Sequence, residues 1–110
     1  MKVEYYIAPN GVSPVIEWLD RLKDKKAKAR IALRILSIEL GNLGDAKPVG
    51  GGVSELRIHV GPGYRIYFAL RGKEIILLLS AGNNRSQKRD IAKAIEYLAR
   101  FKEREKDDEK

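Results

Sequence analysis

The chain has no cysteine, and only one histidine, one methionine and one tryptophan in 110 residues. Without thiols there is no disulfide, no thiolate zinc site and no cysteine nucleophile. A single histidine argues against a transition-metal site, and no cofactor is expected. Long apolar runs are missing as well. The longest, Ile75 to Leu79, is too short to span a bilayer, and the strand-like start MKVEYYIA is too short for a secretory signal. A soluble, cytoplasmic protein with no membrane partner is the expectation. Acidic side chains are scarce: 15 against 22 Lys and Arg, a net charge of +7. The mixed-charge tail from Lys102 to Lys110 is slightly acidic, so the excess sits in the body of the chain. Such a surplus favours a polyanionic partner, whether RNA, DNA, the ribosome or an acidic protein. The length suits one domain, over residues 1–101, with the charged tail at 102–110.

What is present is concentrated in residues 55–68, ELRIHVGPGYRIYF. Side chains alternate in a strand, so Leu56, Ile58 and Val60 point one way and Glu55, Arg57 and His59 the other. In the second arm Tyr64, Ile66 and Phe68 oppose Arg65 and Tyr67. A loop of Gly61, Pro62 and Gly63 pairs Val60 with Tyr64, Ile58 with Ile66 and Leu56 with Phe68. That collects the large apolar groups on one face, whereas a one-residue slip would flip a strand's faces. A glycine then takes the positive φ such a loop requires. Arg57, His59, Arg65 and Tyr67 share the other face. The plain reading is a solvated sheet face. The functional reading is a phosphate-holding surface, because arginine offers a rigid, permanently charged fork.

Residues Lys2 to Ile7 read as a strand. Ser13 caps a helix with Pro14 at its first position and Val15, Trp18, Leu19 and Leu22 as its apolar stripe. A second helix spans about Asp24 to Leu40, with Gly41 as C-cap and Ile31, Ala32, Ile35, Leu36 and Ile38 buried. Its Lys25, Lys26, Lys28, Arg30 and Arg34 are a candidate basic patch, against the alternative of a merely solvated face. Gly41 to Ser54 reads as a glycine-rich loop carrying Lys47, without the pattern of a phosphate loop. After the hairpin and the turn Arg71-Gly72-Lys73, Glu74 to Leu79 reads as a strand buried on both faces. Gln87 to Arg100 reads as the last helix, with Ile91, Ala94, Ile95 and Leu98 inward and a frayed tail beyond. Asn84 or Ser86 caps it. Its free N–H groups, beside Arg85, Lys88 and Arg89, suit a phosphate. The predicted order is strand, helix, helix, three antiparallel strands, helix. The class is α+β, with a small twisted sheet, antiparallel or at most mixed.

Three segments, GDAKPVGGGVSELRI, GPGYRIYF and LLLSAGNNRSQKRDIAKA, resemble the RelE/ParE superfamily of toxins from toxin–antitoxin modules, in its HigB-like addiction module killer branch. The resemblance covers nearly all of the chain except the charged tail. It implies a small α+β toxin whose RelE and HigB relatives cut messenger RNA in the ribosomal A site without metal. It also implies a cognate antitoxin, often with a helix-turn-helix domain, and operator DNA bound only through the antitoxin complex. Arg57 and Arg65 match the arginines of the family's E-L-R and Y-R motifs, and Lys47 a basic position ahead of them. Where this branch reads Gly-Gly-Asp-Lys, the chain has Ala81-Gly82-Asn83-Asn84, followed by Arg85. Arg85 must then stand in for the lysine. The acid/base tyrosine or histidine near the C-terminus of some relatives has no counterpart.

In the mechanism so implied, the RNA 2′-hydroxyl attacks the adjacent phosphate, giving a 2′,3′-cyclic phosphate and a free 5′-hydroxyl. Arg57 and Arg65 stabilise the phosphorane, and Arg85 serves beside them. His59 is a candidate acid or base. Lys47, Lys88 and Arg89 hold RNA, and Tyr67 stacks on a base. The basic patch on the second helix contacts the ribosome. Two other readings stay open: a ParE-like poison of DNA gyrase that cuts nothing, and a catalytically weakened relative that only binds its antitoxin.

Overall fold

Ser13 and Asp24 decide where the first two helices begin. The Ser13 hydroxyl accepts from the Ile16 N–H at 3.2 Å, and Pro14 opens α1 (Pro14–Arg21). Asp24 accepts from the Ala27 N–H at 3.1 Å and opens α2 (Lys25–Glu39). Leu40 caps α2, and the Gly41 N–H closes the last turn on the Ile38 carbonyl at 2.9 Å. The start of α1 is the one Ser13 and Pro14 predict; in α2 Asp24, expected as the first helical residue, is the N-cap, and the C-cap is Leu40, one residue before the expected Gly41.

The computed structural model describes residues 1–108. Strand β1 (Lys2–Tyr5) precedes the two helices. After them come β2 (Ala46–Gly50), β3 (Val53–Ile58), β4 (Tyr64–Arg71), β5 (Ile75–Asn83) and α3 (Gln87–Asp108). The strands form one sheet in the order β1-β5-β4-β3-β2. β1 runs parallel to β5 and every other pair is antiparallel, so the sheet is mixed. The architecture is α+β, with five strands and three helices among the described residues.

Helices cover both faces. On one, Ala27, Ile31, Ile35 and Ile38 of α2 and Val15 of α1 pack on Leu56, Ile58, Tyr64, Ile66, Phe68, Ile76 and Leu78. Trp18 joins this core with its ring edge toward Tyr64, centroids 5.7 Å apart. On the other, Ala94 and Leu98 of α3 pack on Val53, Tyr67, Ala69, Leu77 and Leu79. β5 is buried through most of its length, as its unbroken apolar run predicts.

Several expectations change. Residues 46–50 are a strand and not loop. β2 lies at the sheet edge, where Pro48 needs no ladder partner on its outer side. Its short, mostly exposed sequence carries no alternation to read, and Gly50, Gly51 and Gly52 make its turn into β3. The β3–β4 register slides by two residues: Leu56 faces Ile66, Arg57 faces Arg65 and Ile58 faces Tyr64. The loop is therefore His59 to Gly63, with Gly61 and Gly63 both at positive φ. A slip of two keeps every side chain on its predicted face; a slip of one would not. In α2, Ala32 and Leu36 are exposed and not core, because the stripe that meets the sheet is Ala27, Ile31, Ile35 and Ile38. In α3, Ile95 is 36 % exposed and not buried.

The tail expected to fray continues α3 to Asp108; residues 109 and 110 lie outside the described residues. Arg71 anchors this extension by pairing with Glu105, its guanidinium 5.4 Å from the Phe101 ring centre. Arg104 donates to the Ile7 carbonyl at 3.3 Å and lies over Tyr6. Among the described residues no helix is long and apolar enough to cross a membrane.

Candidate functional site

Register alone sets out the polar side of the hairpin. Lys47, Glu55, Tyr67 and Ser80 form one row across four strands, and Arg57, Arg65 and Gly82 the next. Alternation puts both rows on the side that α3 covers. The helix buries Glu55, Tyr67 and Ser80, leaves Arg57 and Arg65 half-buried, and does not cover Lys47 at the sheet edge.

At its centre is Glu55, with no exposed surface. Arg57 Nε donates to Glu55 Oε1 at 2.8 Å, and Gln87 Nε2, from the first turn of α3, donates to Oε2 at 2.9 Å. Arg65 Nε lies 3.3 Å from the same Oε1, an ionic contact whose angle falls short of a hydrogen bond. Burial alone would raise the Glu55 carboxyl. The hydrogen bonds from Arg57 and Gln87 and the Arg65 charge outweigh burial and hold it below the usual glutamate range. Arg57 is raised in turn, first by its hydrogen bond to Glu55.

Tyr67 corrects an expectation. Its side chain is fully buried in the α3 layer, so it presents no face for a base to stack on. Burial, and then the Glu55 charge, raise its hydroxyl well above the ordinary value. That hydroxyl makes no hydrogen bond of acceptable geometry.

His59 also sits apart from the expected cluster. It lies beyond the end of β3, exposed, with Nε2 2.6 Å from Asp45 Oδ2. The His59 hydrogen bond lowers the Asp45 carboxyl despite partial desolvation, helped by the charges of His59, Arg57 and Arg34. Nε2–H donates to Asp45, which leaves Nδ1 as the acceptor of the neutral ring. Together with Arg30, Arg34 and Arg57, this pair lines an open cleft of about 430 Å³. Arg34 is partly committed: its guanidinium donates to the Leu43 carbonyl and lies against Gly44.

Arg85, Lys88 and Arg89 line a different cleft, of about 550 Å³, with Trp18, Asn83 and Ser86 at the start of α3. The local fold there depends on Gly82. A Cβ at this position would collide with the Asp90 carboxylate and the Ser86 hydroxyl, which hydrogen-bond to each other. A bulge in β5 at Leu79 turns Ser80 toward α3, where its hydroxyl donates to the Asp90 carbonyl at 2.8 Å. Asn83 holds the turn by accepting from the Arg85 N–H at 2.9 Å. Asn84 is exposed.

Of the predicted residues, then, Arg57 and Arg65 meet across β3 and β4 on Glu55. His59 joins Arg57 only through the cleft shared with Arg30 and Arg34. Arg85, Lys88 and Arg89 are grouped elsewhere, and Lys47 is exposed on the edge strand. Of the basic residues of α2, Arg30 and Arg34 line the His59 cleft, whereas Lys28 lines another, with Tyr5 and Leu19. Glu55, Gln87 and Asp45 were not among the predicted site residues. Glu55 had a signal, since it alternates with Arg57 on the polar side of one arm. Among the described residues no group of three His, Cys, Asp or Glu side chains is placed to hold a metal ion.

An uncharacterized protein of Haemophilus influenzae is 43 % identical to the chain over 77 residues, spanning 70 % of this chain and 78 % of that protein. The chain belongs to the family of that protein. No protein-family model matches it.

Proposed function

We propose that the chain is the toxin of a toxin–antitoxin pair, a RelE/HigB-like endoribonuclease that cuts messenger RNA on the ribosome in the cytoplasm and is neutralised by a cognate antitoxin. The observation that carries this reading is the cleft in which Arg57, Arg30 and Arg34 surround the His59–Asp45 pair. Asp45 orients the imidazole, and the arginines supply charge for a phosphate. His59 Nδ1 takes the proton from the RNA 2′-hydroxyl as that oxygen attacks phosphorus. The P–O5′ bond breaks, and the 5′ oxygen leaves with a proton from solvent. Arg65 acts from behind, fixing Glu55 and through it Arg57.

Arg65 is a poor first test because it sits on a buried carboxylate. His59→Ala, at an exposed position, and Arg57→Lys, which keeps the charge on Glu55, are cleaner. Each is expected to lower cleavage of a translated message, mapped by primer extension, by about 100-fold or more, with unchanged thermal unfolding. A folded His59→Ala protein that cuts at the wild-type rate removes His59 from the mechanism. A second reading, a relative that binds its antitoxin without cutting, is favoured by one observation: both arginine Nε atoms are turned onto Glu55. Wild-type protein that leaves translated message intact supports that reading, unless it inhibits supercoiling by gyrase, which identifies the ParE-like poison.

A further inference from the structure

The outward side of α2 carries a second apolar stripe that none of the described residues covers. Ala29, Leu33, Leu36 and Leu40 recur at intervals of four, three and four, and all are exposed. The leucines are 61 %, 50 % and 79 % exposed respectively. Scattered surface leucines are ordinary; three within two helical turns, on one line, are not. Their spacing is that of a seam in which side chains of a facing helix lodge between turns. Beside Leu36 and Ala32 lies a cleft of about 350 Å³, floored by Tyr5, Leu19 and Ile35. Its volume is large enough to take an apolar side chain from such a helix.

We infer that this stripe docks an amphipathic helix of another protein whose apolar seam is flanked by acidic residues. Charge selects the occupant. α2 holds five cations, Lys25, Lys26, Lys28, Arg30 and Arg34, and one acid, Glu39, a net of +4. A second copy would bring two such helices together, like charge against like. A cleft beside the stripe suits a single side chain of a helix better than a lipid surface. The stripe borders the His59 cleft, which Leu33, Arg30 and Arg34 also line, so the test reads peptide binding and not cleavage, and its failure leaves the nuclease reading standing.

The probe is a labelled three-heptad peptide with leucines at the same spacing and glutamates on its flanks, titrated with the full chain and read by fluorescence anisotropy. Its control has lysines on the flanks. The glutamate peptide is expected to bind at least about tenfold more tightly than the lysine peptide at low salt. The double variant Leu33→Gln/Leu40→Gln, at exposed positions, is expected to weaken it at least about tenfold with an unchanged circular dichroism spectrum. The free chain is expected to sediment as a monomer. Equal binding of both peptides, or indifference to the double variant, overturns the proposal. So does a dimer of the free chain that the double variant dissolves, which makes the occupant a second copy. Capture by anionic phospholipid vesicles that the same variant abolishes assigns the stripe to a membrane and equally overturns it.

Discussion

Glu55 shows how much one buried charge constrains its surroundings. A carboxylate with no exposed surface persists only where its oxygens are bonded and its charge met, and Arg57, Arg65 and Gln87 meet both needs. Removing its charge leaves two arginines facing one another across β3 and β4. Glu55→Gln is expected to lower stability by about 3 kcal/mol near neutral pH, read as a drop in the urea midpoint at constant slope. The folded-state carboxyl lies below its ordinary value. Its contribution is therefore fully present above the unfolded value of about 4.3, and is lost as pH falls through the folded value. The gap between wild type and Glu55→Gln should accordingly narrow in acid, and a gap that widens there contradicts the ion-pair assignment. Alternation placed these residues on one face, but it could not say that α3 would close over them. A residue's face follows from local geometry, whereas its exposure depends on an element that starts at Gln87. Tyr67 was misread for that reason.

At the scale of elements, α3 has two differently supported halves. Residues 87–98 lie on the sheet, held by Ser80 against Asp90 and by Ala94 and Leu98 in the core. Beyond Phe101, among the described residues, the helix is tied by Arg71 to Glu105 and by Arg104 to Ile7 and Tyr6. Exposed ion pairs contribute little, so amide hydrogen exchange is expected to be slow over 90–98 and markedly faster over 102–108. Uniform protection along α3 would mean that the extension is held by more than these contacts. The sequence shows the first half clearly through its apolar stripe. It hides the second, since a stretch of Lys, Arg, Glu and Asp reads alike as helix or as frayed tail. Caps made α1 and α2 legible almost to the residue. β2 was not legible, because an edge strand containing Pro48 and leading into three glycines carries none of the alternation by which strands are recognised.

For the whole molecule the governing quantity is charge. A net +7, with Arg30, Arg34 and Arg57 about one cleft and Arg85, Lys88 and Arg89 about another, draws any polyanion by counterion release. Binding of unstructured single-stranded RNA is expected to weaken steeply with salt, with a negative slope of log K against log salt of about −0.7 for each phosphate neutralised. A flat salt profile would show that the two clefts do not act on phosphates. Topology adds a constraint of another kind. Lys2, at the start of the chain, is paired in parallel with Ile75. As the chain is synthesised, β1 is made before both helices but can be placed only after β5. α1, α2 and the β3–β4 hairpin can form from neighbours already present, but β1 has no partner until β5 has been made. The helices of one face can thus gather early, while the sheet's far edge stays open for most of the time the ribosome spends on this chain.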